Sequence, residues 1–261
     1  MAASKKTRSQ TTKSNTPKDI LCDQLSFAAA ESYKLLRANL IFTIPAGENN
    51  VIGVTSSTRG EGKSTTSINL AYTIAEAGKK VLLIDSDMRL PSSAKRMGIQ
   101  KSPGLSNAII GQTSASECIY PSGKGPNWDI MPSGDTPPNP SELLSSNQFS
   151  RLIEKLQTKY DYIIMDLPPV NLVSDAVTVA PKIQGLIFVV RQNFSSRVAV
   201  KEAIARLDFL DAKILGFVFT DANEETSSKG LVASGANYKK YGNKYNRHYN
   251  YGKYGSYEYK K

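Results

Sequence analysis

Short apolar runs alternate along this chain with longer stretches in which apolar residues return every three or four positions. Residues 51–55 (Val-Ile-Gly-Val-Thr), 81–84 (Val-Leu-Leu-Ile), 162–165 (Tyr-Ile-Ile-Met), 185–190 and 213–219 are too short for helices and too uniformly apolar for half-exposed strands, so each predicts a buried strand. Helical periodicity predicts helices over 27–42, 64–77, 147–160 and 197–210. In the third of these, Phe149, Leu152, Ile153 and Leu156 share one face. Residues 128–131 add a strand around the single tryptophan, and Ser141 is placed to cap a short helix after the proline-rich loop 132–140. Strands alternating with helices in this way predict an α/β fold, a mostly parallel sheet with helices on both faces.

Three of these strands end in chemistry. Residues 51–55 run into the small, polar stretch 56–62, and Lys63-Ser64-Thr65 then open a helix. Strand, loop and helix in that order form a phosphate cradle, which aims backbone N–H groups and a helix N-terminus at a polyphosphate. Lys63 would serve the outer phosphates and Ser64 a Mg²⁺ ion, with Thr58, Arg59, Gly60, Glu61, Gly62 and Thr65 completing the candidate nucleotide loop. Where the usual pattern carries its first glycine, this chain has Ser57. The second run ends in Asp85-Ser86-Asp87-Met88-Arg89, and the third in Asp166-Leu167-Pro168-Pro169, where Pro168 forbids strand continuation. Carboxylates at strand ends sit where open parallel sheets bind ligands. One hydroxyl, one or two carboxylates and phosphate oxygens satisfy Mg²⁺, and phosphoryl transfer asks mainly for positioning and charge neutralisation.

Charge and composition sharpen the picture at the two ends of the chain. The net charge is +10, yet residues 1–18 hold five Lys or Arg and no acid, and residues 236–261 hold seven against Glu258. The remainder is close to neutral, which argues against a nucleic-acid-binding core. Three parts are expected: a disordered basic segment over 1–19, a domain over 20–234, and a flexible tail over 235–261. In the tail Tyr238, Tyr241, Tyr245, Tyr249, Tyr251, Tyr254, Tyr257 and Tyr259 stand among Gly, Asn and Lys. His248 is the only histidine, so histidine-based metal or triad chemistry has no material. Cys22 and Cys118 lack metal spacing and suit a reducing compartment. No leader-like apolar region opens the chain and no run approaches the roughly 18 apolar residues of a membrane span, so the expected location is the cytoplasm. On the first helix Glu31, Lys34 and Arg37 form one charged face, either solvated with internal ion pairs or in contact with another subunit.

In combination these features resemble the bacterial tyrosine kinases, P-loop protein kinases that control capsule and exopolysaccharide assembly. The resemblance rests on G-E-G-K-S-T-T at 60–66, on the Asp85-x-Asp87-x-Arg89 run with Pro91, and on Y-I-I-M-D-L-P-P at 162–169. The segment at 129–144 (D-I-M-P-S-G-D-T-P-P-N-P-S-E-L-L) and the tyrosine tail add to it. It implies a MinD-like P-loop fold, ATP and Mg²⁺, and autophosphorylation of the tail tyrosines between subunits of a homo-oligomeric ring, with an octamer as the candidate size. The family's oligomerisation helix is matched by Glu31, Lys34 and Arg37, with lysine where the family has arginine. By resemblance Lys63 grips the phosphates, Ser64, Asp85 and Asp166 manage Mg²⁺, Asp85 is the candidate base, and Asp87 and Arg89 support them. Thr220 stands where relatives often carry an asparagine that touches adenine. The chain is similar to the Firmicutes type, which implies a separate transmembrane polysaccharide co-polymerase as activator and recruitment to the inner face of the cell membrane. A cognate tyrosine phosphatase and protein substrates are implied as well. Two rivals remain. One is a MinD- or ParA-type switch ATPase without kinase activity, whose signature lysine is replaced here by Thr58; the other is a scaffold that uses ATP only for folding.

Overall fold

The computed structural model describes residues 25–44 and 50–222. The basic N-terminal segment, the expected boundaries of the central domain, Cys22 and all eight tail tyrosines lie outside the described residues. Among the described residues, seven strands form one sheet: β1 (Val51–Ser56), β2 (Val81–Asp85), β3 (Tyr120–Pro121), β4 (Trp128–Met131), β5 (Tyr162–Asp166), β6 (Gly185–Arg191) and β7 (Ile214–Thr220). Their order is β3-β4-β2-β5-β1-β6-β7. All neighbours run parallel except the short edge strand β3, which pairs antiparallel with β4.

The helices are α1 (Phe27–Thr43), α2 (Lys63–Glu76), α3 (Ser93–Met97), α4 (Leu105–Ile109), α5 (Pro140–Ser145), α6 (Asn147–Gln157), α7 (Asp175–Val179) and α8 (Arg197–Asp208), with a 3₁₀ turn at Ala180–Lys182. Successive side chains of a strand point to opposite faces, so an all-apolar strand feeds two cores. Ile52, Val54, Leu83 and Ile164 pack with Leu40 of α1 and with Ile68, Ala71 and Ile74 of α2. Leu82, Ile84, Ile163, Met165 and Phe188 pack on the other side with Phe149, Leu152, Ile153 and Leu156 of α6 and with Leu207 of α8. The apolar stripe read from residues 147–160 is therefore the face that α6 buries. Gly53 interrupts β1 for a packing reason: a Cβ there would lie 2.6 Å from the Leu167 and Leu186 side chains.

Some local expectations change. Ser141 does not cap α5. Pro140 occupies the first turn and Asn139 is the N-cap residue, because a proline's fixed φ and missing N–H suit the start of a helix. Residues 213–219, expected as a buried strand, form the edge strand β7, whose Phe217 and Phe219 are 49% and 66% exposed, and the segment between β2 and β4 holds α3, α4 and β3, five-residue helices and a two-residue strand. Elements that short carry little periodicity of their own and form only where the rest of the chain packs against them.

Candidate active site

Because β5 lies between β1 and β2, the carboxyl ends of the three chemically loaded strands are adjacent. Asp85 and Asp166 are register partners on β2 and β5, and both are buried. The phosphate loop rises from β1 beside them. Lys63 opens α2, is 9% exposed, and carries the charge that most favours ionised Asp166; the Ser64 hydroxyl hydrogen-bonds the same carboxylate. Ser67, one turn further along α2, donates to Asp166 Oδ1 at 3.4 Å. Lys63, Ser64, Asp85 and Asp166, assigned to one site from the sequence, are thus brought together, and the charge of Asp87 is felt by both buried carboxylates.

The loop itself is organised around Glu61, a fully buried carboxylate. Ser57, at the place of the missing glycine, donates its hydroxyl to Glu61 Oε1 at 2.7 Å, and the Thr58 N–H donates to Oε2 at 2.8 Å. Ser195, from the turn after β6, donates a third bond to Glu61 Oε1. Two further contacts come from the sheet: Arg191 Nη1 donates to the Gly60 carbonyl at 3.1 Å, and Thr220 Oγ1 donates to the Glu61 carbonyl at 2.6 Å. Thr220 is thereby placed against the loop backbone. Gly62 has φ of +100°, and no side chain caps α2 at that position. An added Cβ would meet Thr220 Cγ2 at 3.0 Å, so glycine is required both by conformation and by space. A helix N-terminus with no side-chain cap and a left-handed glycine before it is suited to an anion. Arg59 is exposed at the tip of the loop.

The aspartates occupy a more strained electrostatic setting. Asp85 Oδ2 accepts from the Ser92 and Ser93 N–H groups at 3.1 and 2.9 Å, and Oδ1 accepts from the Asp87 N–H at 3.3 Å. Burial, and then the charge of Asp166, push Asp85 up to about 7. Burial also raises Asp166 to about 6, against the opposing pull of Lys63 and Ser64. Two buried carboxylates in register with one lysine beside them form a set that a divalent cation would neutralise. Among the described residues no three His, Cys, Asp or Glu side chains converge into a metal cage of their own, so such an ion would draw its remaining oxygens from phosphate and water.

Arg89 is held away from the phosphate loop. Its Nε and Nη2 donate to Asp175 Oδ2 and Oδ1 at 3.0 and 3.1 Å, and Nη2 also reaches Ser141 Oγ at 3.3 Å. Asp175 was missed by sequence reading, as was Arg96, which donates to Thr65 Oγ1 at 3.2 Å and whose charge favours ionised Asp166. Neither lies in a recognisable motif, and both are brought in by short helices with no pattern of their own. On α1 the three charged residues divide. Lys34 Nζ pairs with Glu31 Oε1 at 2.9 Å on the surface, whereas Arg37 turns toward α2 and donates to the Thr73 carbonyl at 2.6 Å.

A phosphate loop after the first strand, with aspartates ending two neighbouring parallel strands, defines a P-loop nucleotide-binding domain. Residues 49–207 match the family model described as AAA domain. The tyrosine-protein kinase CpsD of Streptococcus agalactiae is 36% identical over 203 residues, covering 77% of this chain and 86% of that relative. The kinase domain of the Escherichia coli tyrosine kinase ETK superposes with a TM-score of 0.70 at 33% identity, over 75% of this chain and 78% of that one. The septum site-determining protein MinD from Pyrococcus horikoshii, complexed with Mg-ADP, superposes with a TM-score of 0.57 at 23% identity, over 70% of this chain and 77% of that one, a likeness of fold alone. The chain belongs to the bacterial tyrosine kinase family of P-loop proteins, and the kinase reading is favoured over the MinD-type switch.

Proposed function

We propose that this kinase transfers the γ-phosphoryl group of Mg·ATP to tyrosine hydroxyls in the C-terminal segment of a neighbouring subunit, with Tyr238, Tyr241, Tyr245, Tyr249, Tyr251, Tyr254, Tyr257 and Tyr259 as acceptors. The observation that carries the reading is the convergence of buried Lys63, Asp85 and Asp166 beside the uncapped N-terminus of α2, in a chain that supplies its own tyrosine cluster. The kinase names of CpsD and ETK and the Mg-ADP of MinD support it.

In this reading the first-turn N–H groups of α2 and the Lys63 ammonium bind the phosphates, with Thr58, Arg59, Gly60, Glu61, Gly62, Ser64 and Thr65 completing the loop. Ser64, Asp166 and Asp85 would hold Mg²⁺, which when bound neutralises charge on the phosphates during transfer. Asp85 is assigned to take the proton of the acceptor tyrosine. In the metal-free site, burial and then the charge of Asp166 raise it to about 7, the direction a general base requires. Asp87 and Arg89 support that loop. The kinase would control capsular or extracellular polysaccharide synthesis or export as a ring assembled through the helix bearing Glu31, Lys34 and Arg37. A separate transmembrane activator would recruit it to the inner face of the cell membrane, and a cognate phosphatase would reset the tail. No helix among the described residues is long and apolar enough to cross a membrane.

The test is incubation of the full chain with Mg·ATP and its activating partner, read by phosphotyrosine immunoblot and site mapping. Phosphate on the tail tyrosines that disappears in Lys63→Met supports the proposal. ATP hydrolysis without any phosphotyrosine would return the chain to the switch-ATPase reading.

A further inference from the structure

The loop that carries Asp85 and Asp87 is tied down at a point that phosphate chemistry does not explain. Asp175, at the start of α7, has a side chain with no solvent exposure. It receives three hydrogen bonds: Nε and Nη2 of Arg89 in a two-pronged fork, and the Ser141 hydroxyl from the first turn of α5. Ser141 has one proton, which goes to Asp175, so in its 3.0 Å contact with Ser174 the donor is the Ser174 hydroxyl. Every oxygen of Asp175 is satisfied, and three separate elements meet on it: the loop after β2, α5 and the turn before α7.

An ion pair between this buried carboxylate and a partly exposed guanidinium is a weak source of net stability, because desolvation of the carboxylate offsets much of the attraction. What a bidentate arginine–carboxylate fork supplies is geometry, since its two parallel bonds fix both distance and plane. Here the fixed object is the short loop after β2. Met88 is fully buried on one side and Arg89 is forked to Asp175 on the other. On the strand side of those ties stand Asp85, the last residue of β2, whose oxygens accept the Ser92, Ser93 and Asp87 N–H groups, and Asp87, whose Oδ1 accepts the Leu90 N–H at 3.0 Å. If Arg89 were released, the span from Ser86 to Leu90 would keep buried Met88, the Ser86 N–H bond to the Asp166 carbonyl at 2.9 Å and these local bonds, with nothing holding its far end. Catalytic carboxylates tolerate little displacement before rate is lost.

We propose that Asp175 is a positioning residue for phosphoryl transfer: through the Arg89 fork it holds the 85–91 loop so that Asp85 and Asp87 present their carboxylates to the nucleotide. Asp175 itself touches neither substrate nor phosphate loop. The proposal rests on the kinase reading given above, and it takes in Ser141 and Ser174 as the hydroxyls that complete the clamp.

The test uses the full chain with two readouts. Asp175→Asn keeps size and shape but breaks one prong, so the expected result is tail phosphorylation with kcat reduced about tenfold and KM for ATP within about twofold, because the phosphate loop is untouched. Amides of residues 86–91 should exchange with deuterium about tenfold faster while those of 57–62 do not change. In an Arg89→Ala background the same substitution should cost nothing more, because both changes remove one fork. Ser141→Ala, which removes the third donor and an acceptor of Arg89 Nη2 and Ser174 but leaves the fork itself, should give the same pattern with a smaller effect. Unchanged kcat in Asp175→Asn would overturn the proposal, as would a loss that multiplies with Arg89→Ala, or a loss of thermal stability alone. Should the wild-type chain phosphorylate nothing, the kinase reading fails by itself, and the exchange of 86–91 still decides whether Asp175 holds the loop.

Discussion

The two loops at the centre of the site, residues 57–62 after β1 and 86–91 after β2, both rise from the carboxyl end of the sheet yet are held by different forces. The phosphate loop is organised from within. Its own carboxylate, Glu61, gathers Ser57 and Thr58, and neighbouring strands add Arg191, Ser195 and Thr220 by hydrogen bonds to its backbone and to that carboxylate. The aspartate loop is held from far away in the chain, by the Arg89–Asp175 ion pair and the Ser86 N–H bond to the Asp166 carbonyl, and it carries Asp85 against the like charge of Asp166. A loop that must wrap a variable anion is thus preshaped, while a loop that must present negative charge carries electrostatic strain. Mutation and pH should therefore act on them differently.

The largest effect is expected where the internal brace is lost. Glu61→Ala leaves the Ser57 and Ser195 hydroxyls and the Thr58 N–H without their buried acceptor, and should destabilise the protein by about 2–4 kcal/mol in chemical denaturation. A loss under about 1 kcal/mol would mean that the loop does not depend on that carboxylate. Next comes Gly62→Ala, which forces a Cβ onto Thr220 Cγ2 at 3.0 Å and a side chain onto φ of +100°. It should cost about 1–3 kcal/mol and weaken Mg·ATP binding in calorimetry about tenfold or more. Normal binding by this variant would show that the loop is not preshaped.

The pH response should single out the aspartate loop. Asp85 is raised from 3.8 to about 7 in the folded state, so the folded protein binds more protons than the unfolded chain between those values. Stability from this group is therefore greatest at acid pH and falls as pH rises through that window. Relative to Asp85→Asn, the nucleotide-free wild type should lose on the order of 1 kcal/mol or more between pH 5 and pH 8, and added Mg²⁺ with nucleotide should reduce that loss. Parallel melting curves for the two proteins across this range would remove the electrostatic contrast between the loops. The smallest effects belong to α1. Lys34→Ala breaks an exposed pair and should change stability by less than about 0.5 kcal/mol. Arg37→Ala should cost about 1 kcal/mol by freeing the Thr73 carbonyl, even in the isolated subunit.

How far the site could be read in advance depended on how local its parts are. Lys63, Ser64, Asp85 and Asp166 were legible because each follows a buried strand directly, and β2 and β5 end at Asp85 and Asp166. Asp175 was not, since its partner Arg89 lies 86 residues away and α7 is too short to show a period. The role of Glu61 was hidden for the same reason: Ser195, which donates to it, is 134 residues distant. Ser57, in place of the usual glycine, has a role that no local pattern shows, because its hydroxyl donates to the buried Glu61 carboxylate. Ser141 was legible as a residue near a helix start, but proline took that start, leaving its hydroxyl for Asp175.

By itself the sequence determined the order of the longer strands and helices, the two-faced burial of the central strands and the chemical character of three strand ends, because these follow from apolar spacing and from prolines and glycines acting over a few residues. The tertiary structure alone decided that β5 inserts between β1 and β2, which sets Asp85 against Asp166 and lifts both carboxylates. It alone decided, too, that Arg89 turns to Asp175 and Arg37 to α2. Strand order and side-chain partners are settled by contacts between segments tens of residues apart, and no local pattern encodes which of them will meet.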